Sequence, residues 1–233
     1  MFEIRMNHPS KNALDHDLMG WLETRLDEAG GQPILLTGSQ DAFCAGLNLR
    51  EVASLDRQGM EKFLRRIDAL ATRLYEHPAP SVACINGHAI AGGCILALCC
   101  DFRIAKADPK IRIGVNEVAL GACYPPAILK IVMRRVAPQW HERVMLGASL
   151  FSPQDALAIG LIDEIAEDVE GAAKKRLESL SAHPRGTYAR TKALIRRDVS
   201  AVSAADERRF CDEELAIWTS PEVKARVTAV LAR

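Results

Sequence analysis

The chain has 233 residues, 48% of them hydrophobic, and lysine plus arginine balance aspartate plus glutamate at 30 each. That length suits one large domain, or one domain with a small helical appendage, and is enough to bury a real core. The balance of charge excludes an overall field that would gather nucleic acid or an anionic membrane, and apolar runs such as Cys94 to Cys100 fall far short of the roughly 20 residues that a bilayer span requires.

In chain order, "MFEIRMNHPSKN" has no signal-peptide layout, so a soluble, cytoplasmic protein is expected. Leu14, Leu18, Trp21, Leu22 and Leu26 fall near helical spacing, which predicts a helix over 12–29 stopped by Gly30-Gly31. "PILLTG" (33–38) reads as a buried strand closed by a turn. Phe63, Ile67, Leu70 and Leu74 mark a helix over 59–76, ended by "HPAP". "SVACING" (81–87) is the next buried strand, followed by a Gly-Gly turn, an apolar helix and a further strand at "DFRIA". This alternation argues an α/β domain. Beyond Pro125 the strands thin out and the pattern is helical, and Phe210, Leu215, Ile217, Trp218, Val227, Val230 and Leu231 suit partner subunits as well as the chain's own core.

The seven cysteines mostly sit in apolar segments, where a reduced thiol behaves as a small hydrophobe. No CxxC spacing points to a metal, and no metal site is expected. Two glycine turns are candidates for chemistry. "DAFCAGLNLRE" (41–51) and "IAGGC" (90–94) both place small residues ahead of a helix, where backbone N–H groups are unpaired and can approach a ligand oxygen. Two such turns aimed at one oxygen would make an oxyanion hole, although either turn alone is more simply a tight turn. The phosphate-loop fingerprints and the GxSxG nucleophile elbow are absent, and His88 beside the second turn reads as a structural residue. In "IGVNEVALGACYPP" (113–126) the pair Asn116-Glu117 stands among Val115, Val118 and Leu120. A carboxyl there would be desolvated and poised as a general base, or would be a capping or surface glutamate.

Taken together and in order, "HPSKNALD", "LLTGSQDAFCAGLNLRE", "INGHAIAGGCILALCCDFRIAKAD", "IGVNEVALG" and "FSPQDALAIGLIDEI" resemble the enoyl-CoA hydratase/isomerase (crotonase) family over nearly the whole chain. The resemblance implies an α/β fold, a crotonase-like spiral of ββα units over residues 1–170 that carries the acyl-CoA site. It also implies a C-terminal helical oligomerisation region over 171–233, with a homotrimer or hexamer as the assembly. An acyl-CoA thioester would be the substrate, with coenzyme A entering as part of it and no separate cofactor. The resemblance assigns the thioester oxygen to the backbone N–H groups of Leu47 and Gly92. Ala45, Gly46, Leu47, Asn48, Leu49, Gly93 and Asn116 are implied to bind substrate, and Ile95 and Tyr124 to line the pocket.

Hydratases of the family use two glutamates, and here the first position is Ile95 while the second is Glu117. Isoleucine can neither hold nor deprotonate water. The resemblance is accordingly strongest to Δ3,Δ2-enoyl-CoA isomerases of the mitochondrial type, in which one glutamate moves a proton from C2 to C4. Hydration, hydrolysis or decarboxylation of a CoA ester, and acyl-CoA binding without turnover, are the alternatives. "MFEIRMNHP" is a short opening for the family and predicts a reduced first edge of the sheet, and Tyr124-Pro125-Pro126 puts bulk where hydratases carry a glycine-rich turn. Arg190, Lys192, Arg196 and Arg197 are candidates for the CoA phosphates, with a solvated helix face the expected role for most of them.

Overall fold

The computed structural model describes residues 1–232. Two all-parallel sheets organise it. The larger runs β1 (Phe2–Arg5), β2 (Ile34–Thr37), β4 (Ser81–Ile85), β6 (Phe102–Lys106) and β8 (Glu164–Ala166) in that spatial order. The smaller runs β3 (Ala42–Cys44), β5 (His88–Ile90) and β7 (Ile113–Gly114). Each of β2, β4 and β6 is thus followed by a short strand in the second sheet and then by helix. This is the ββα repeat that the family resemblance implies.

The opening residues do form a strand: Phe2–Arg5 pairs in register with Ile34–Thr37 at the sheet edge. The helix predicted over 12–29 begins later, at His16, because the Asp15 side chain accepts from the Leu18 N–H at 2.9 Å and fixes the N-terminus there. It ends at Ala29 where Gly30 turns left-handed, φ 53°. The helix Arg57–Tyr75 is capped likewise by Asp56 on the Gly59 N–H at 2.7 Å. Its buried face, Phe63, Leu64, Ile67, Leu70 and Leu74, packs into the main core. Asp68 on this helix accepts from the N–H groups of Ala127 and Ile128 at 3.2 and 2.8 Å, so it pins the start of the helix Pro126–Arg135 to the same core.

Side chains alternate across the large sheet. Ile34, Leu36, Ala83, Ile85 and Ala105 face the main core, whereas Leu35, Val82, Cys84 and Ile104 face a second cluster with Val169, Ala173 and Leu177. The helix Val169–Ser181 therefore covers the outer face of the sheet. It spans the expected 170/171 boundary, and the C-terminal region is continuous with the core. The strand β8, inside a stretch read as helical, extends the sheet beside β6.

The apolar positions of the C-terminal region divide between the chain's own core and its surface. Phe210, Leu215, Trp218 and Val227 are buried in their own chain, while Ile217, Val230 and Leu231 are partly exposed. The basic positions divide as well. Arg190 and Arg197 are exposed, but Lys192 and Arg196 are only 5% and 4% exposed, which corrects the solvated-face expectation for these two. The reason is Asp101, whose carboxylate meets Lys192 Nζ at 2.9 Å and Arg196 Nη2 at 2.7 Å and also accepts from the Tyr188 hydroxyl at 2.9 Å. Arg196 Nη1 further donates to the Cys99 carbonyl at 3.0 Å, and Arg135 Nε to the Leu98 carbonyl at 3.0 Å. Two arginines thereby satisfy carbonyls left without intrahelical partners at the C-terminal end of the helix Gly92–Cys99.

Candidate active site

The first glycine turn leads out of β3. Leu14 bridges Leu47 as in a parallel ladder: the Leu14 N–H donates to the Gly46 carbonyl at 2.7 Å and the Asn48 N–H to the Leu14 carbonyl at 2.8 Å. In that arrangement the residue between the bonded pair turns its own N–H to the opposite side, so the Leu47 N–H points away from Leu14. Gly46 has φ 93°, and a Cβ there would come within 3.0 Å of the Ile90 carbonyl and 3.1 Å of Ala91 Cβ. A side chain would force apart the two glycine turns, which touch at this point.

The second turn leads out of β5. Ala91 sits at φ 50°, ψ −121°, a strained conformation for a residue with a Cβ, and ends the strand abruptly enough for Gly92 to open the helix Gly92–Cys99. The Gly92 N–H belongs to the first turn of that helix and has no intrahelical acceptor. Among the described residues, neither the Leu47 nor the Gly92 N–H donates to a loop or side-chain acceptor. Gly93 has a different job: a Cβ on it would lie 2.1 Å from the Cys44 carbonyl, so it lets the helix rest on β3.

A cavity of about 210 Å³ opens against these turns. Of the residues expected from the sequence, Ala45, Leu47, Leu49, Gly92, Ile95, Asn116, Glu117 and Tyr124 line it, whereas Gly46, Asn48 and Gly93 do not. Asn48 instead caps the helix Leu49–Ser54 through the Arg50 N–H and donates to Asp15 Oδ2 at 3.1 Å, which holds the Leu47 turn to the first helix. His88 stays outside the lining, its Nδ1 accepting from the Arg112 N–H at 3.1 Å. The sequence reading missed Leu64, Ile67 and Ile128 as walls of the site, and it did not anticipate that Trp218 and Val230 would reach back over it. The Trp218 Nε1 donates to the Cys123 carbonyl at 2.9 Å and fixes that closure. The apolar spacing of Phe63 and Ile67 signals a buried face, but nothing local says that the face borders a cavity.

Glu117 begins the short helix Glu117–Leu120, and Asn116 stands at its N-cap position without a side-chain capping bond. The residue as a whole is half-buried, but Oε2 is out of reach of solvent and has no hydrogen-bond partner. Burial pushes its carboxyl up to about 7, offset in part by its own backbone N–H and by the Tyr124 hydroxyl. Burial and the nearby Glu117 charge raise the Tyr124 phenol, so it stays protonated. The Cys94 thiol on the adjoining helix is pushed up to about 12, first by burial and then by Glu117. Among the described residues, no three His, Cys, Asp or Glu side chains gather as a metal site, and no helix is long and apolar enough to cross a membrane.

Paired ββα units whose small second strands end in glycine turns, with one desolvated carboxyl in an apolar cavity beside them, define a protein of the crotonase fold. Residues 1–221 match the family model described as enoyl-CoA hydratase/isomerase, and the chain belongs to that family. It is 32% identical to the mitochondrial enoyl-CoA delta isomerase 1 of Mus musculus over 201 residues, which cover 83% of this chain and 70% of the mouse protein. It is 28% identical to the crotonyl-CoA hydratase of Syntrophomonas wolfei over 173 residues, 72% of this chain and 66% of that protein. The crystal structure of human mitochondrial delta3-delta2-enoyl-CoA isomerase superposes with a TM-score of 0.91 at 25% identity, covering 99% of this chain and 92% of the human one.

Proposed function

We propose that the chain is a Δ3,Δ2-enoyl-CoA isomerase that moves the double bond of a 3-enoyl-CoA into conjugation with the thioester. The observation that carries this reading is the isolation of Glu117. Among the described residues it is the one carboxylate lining the cavity, and Ile95 occupies the position at which a second glutamate would serve hydration. The thioester oxygen is placed on the Leu47 and Gly92 N–H groups. Glu117 takes a proton from C2, and the electron pair of the broken C–H bond passes into the enolate that those N–H groups stabilise. The same carboxyl returns the proton to C4 as the double bond settles between C2 and C3, so no atom is gained or lost. A carboxyl held near 7 is matched to both transfers, since its two forms are close in energy at neutral pH. The apolar walls keep water from the enolate. The similarity to the mouse and human isomerases supports the reading, and the test is a pair of assays on the same preparation. Isomerisation of 3-hexenoyl-CoA is expected to exceed hydration of crotonyl-CoA by a wide margin, and faster hydration would overturn the proposal.

A further inference from the structure

We propose that Tyr124 is a positioning residue for Glu117: its hydroxyl donates to one oxygen of the ionised carboxylate and leaves the other oxygen to carry the proton between C2 and C4. This rests on the isomerase reading for the identity of the reaction, but the juxtaposition of the two groups in one cavity is geometric. Tyr124 is 8% exposed and lines the cavity. Its hydroxyl and Glu117 Oε2 are both buried without a hydrogen-bond partner, and among the described residues they are the two such side-chain atoms that belong to this cavity. Buried polar groups in folded proteins are nearly always paired, so two complementary ones left open in one apolar space call for an account.

The chemistry of the two groups supplies it. An ionised carboxylate only accepts, and a phenol that stays protonated can donate. Their bond is strongest when Glu117 is charged and weakens once it holds the substrate proton. Tyr124 therefore favours the charged state from which the transfer starts and to which it returns, and it restricts the swing of the carboxylate about its side-chain torsions. The ionisable groups that act on Glu117 among the described residues are Tyr124, from the turn that follows its own helix, and the neutral Cys94 thiol, from the helix Gly92–Cys99. Among the described residues no cation is a cause of its shift, so the phenol has no stronger competitor among them.

The test is Tyr124→Phe, which keeps the ring and removes the donor. Turnover of 3-hexenoyl-CoA is expected to fall roughly tenfold with KM within about twofold, and the rising limb of the pH profile to move upward from its position near 7. Carboxyl titration of Glu117 by carbon-13 NMR, its signal identified by its loss in Glu117→Gln, is expected to move the same way. A variant with unchanged turnover and titration, altered only in its preference for acyl length, would show Tyr124 to be a wall and overturn the proposal. Should Tyr124→Phe fail to fold, replacement of tyrosine by 3-fluorotyrosine makes the donor stronger and is expected to lower the Glu117 titration, whereas no movement overturns the proposal. If the unaltered protein lacks isomerase turnover, the functional reading fails, and the NMR titration still decides whether Tyr124 holds Glu117.

Discussion

The Glu117 cavity and the Asp101 cluster both bury ionisable side chains, and they treat them in opposite ways. Asp101 is surrounded: Lys192, Arg196, Tyr188 and the Ser81 N–H all meet its carboxylate, and the cations are further bound to main-chain carbonyls. Among the described residues Glu117 has no cationic partner, and one of its oxygens is unpaired. The first arrangement locks the helix Arg185–Arg196 to the end of the sheet. The second leaves an acid whose proton is easily taken and returned. A buried charge that is fully bonded is structural, and one left without a counter-ion is available for chemistry.

The largest effect that would sharpen this contrast is on turnover. Glu117→Gln removes the one carboxyl that lines the cavity among the described residues and is expected to lower isomerisation by roughly 10²- to 10⁴-fold, while a dissociation constant for an acyl-CoA, measured by calorimetry, changes little. Turnover retained within tenfold would place the proton transfer elsewhere. The same variant is expected to be more stable than the parent at pH 8 and equally stable near pH 4. The sign follows from the raised carboxyl: native Glu117 holds its proton up to about 7 against 4.5 for an ordinary glutamate, so stability present below 4.5 is lost as pH rises through 7. That difference amounts to about 3 kcal/mol at most, read from denaturant melts at the two pH values.

In the other cluster the signs reverse. Asp101→Asn leaves Lys192 and Arg196 buried with their counter-ion gone, and a loss of roughly 3–5 kcal/mol in stability is expected with turnover per folded molecule unchanged. Equal stability by chemical denaturation would break the comparison. The smallest effect concerns backbone strain at the cavity. Ala91→Gly relieves a positive φ of 50° but adds freedom to the unfolded chain, so a net gain of up to about 1 kcal/mol is expected. A loss of stability in thermal melts would show that the conformation at Ala91 is unstrained.

Much of this was legible from residues that act locally. The helix faces of Leu18, Leu22 and Leu26 and of Phe63, Ile67 and Leu70 follow a period that any core would select, and the glycine turns announce themselves by composition. The strands Ala42–Cys44, His88–Ile90 and Ile113–Gly114 did not, because two or three residues are too few to show an alternation. Lys192 and Arg196 misled for a related reason: two cations four residues apart look like a solvated helix face until a distant Asp101 is brought beneath them. Asn48 and Gly93 sit inside motifs expected to bind substrate, yet their side-chain space is taken by Asp15 and the Cys44 carbonyl.

By itself, then, the sequence determined the local features of the candidate site: a glutamate among apolar neighbours, two glycine turns ahead of helices, and isoleucine rather than an acid at position 95. These are properties of residues close in the chain, and their types suffice to state them. Tertiary structure alone decided that Trp218 and Val230 close the same cavity, that Tyr124 shares it with Glu117, and that the C-terminal cations are buried. Each of those depends on segments that meet only after the ββα units have stacked, and residue type carries no record of the distance at which a partner will be found.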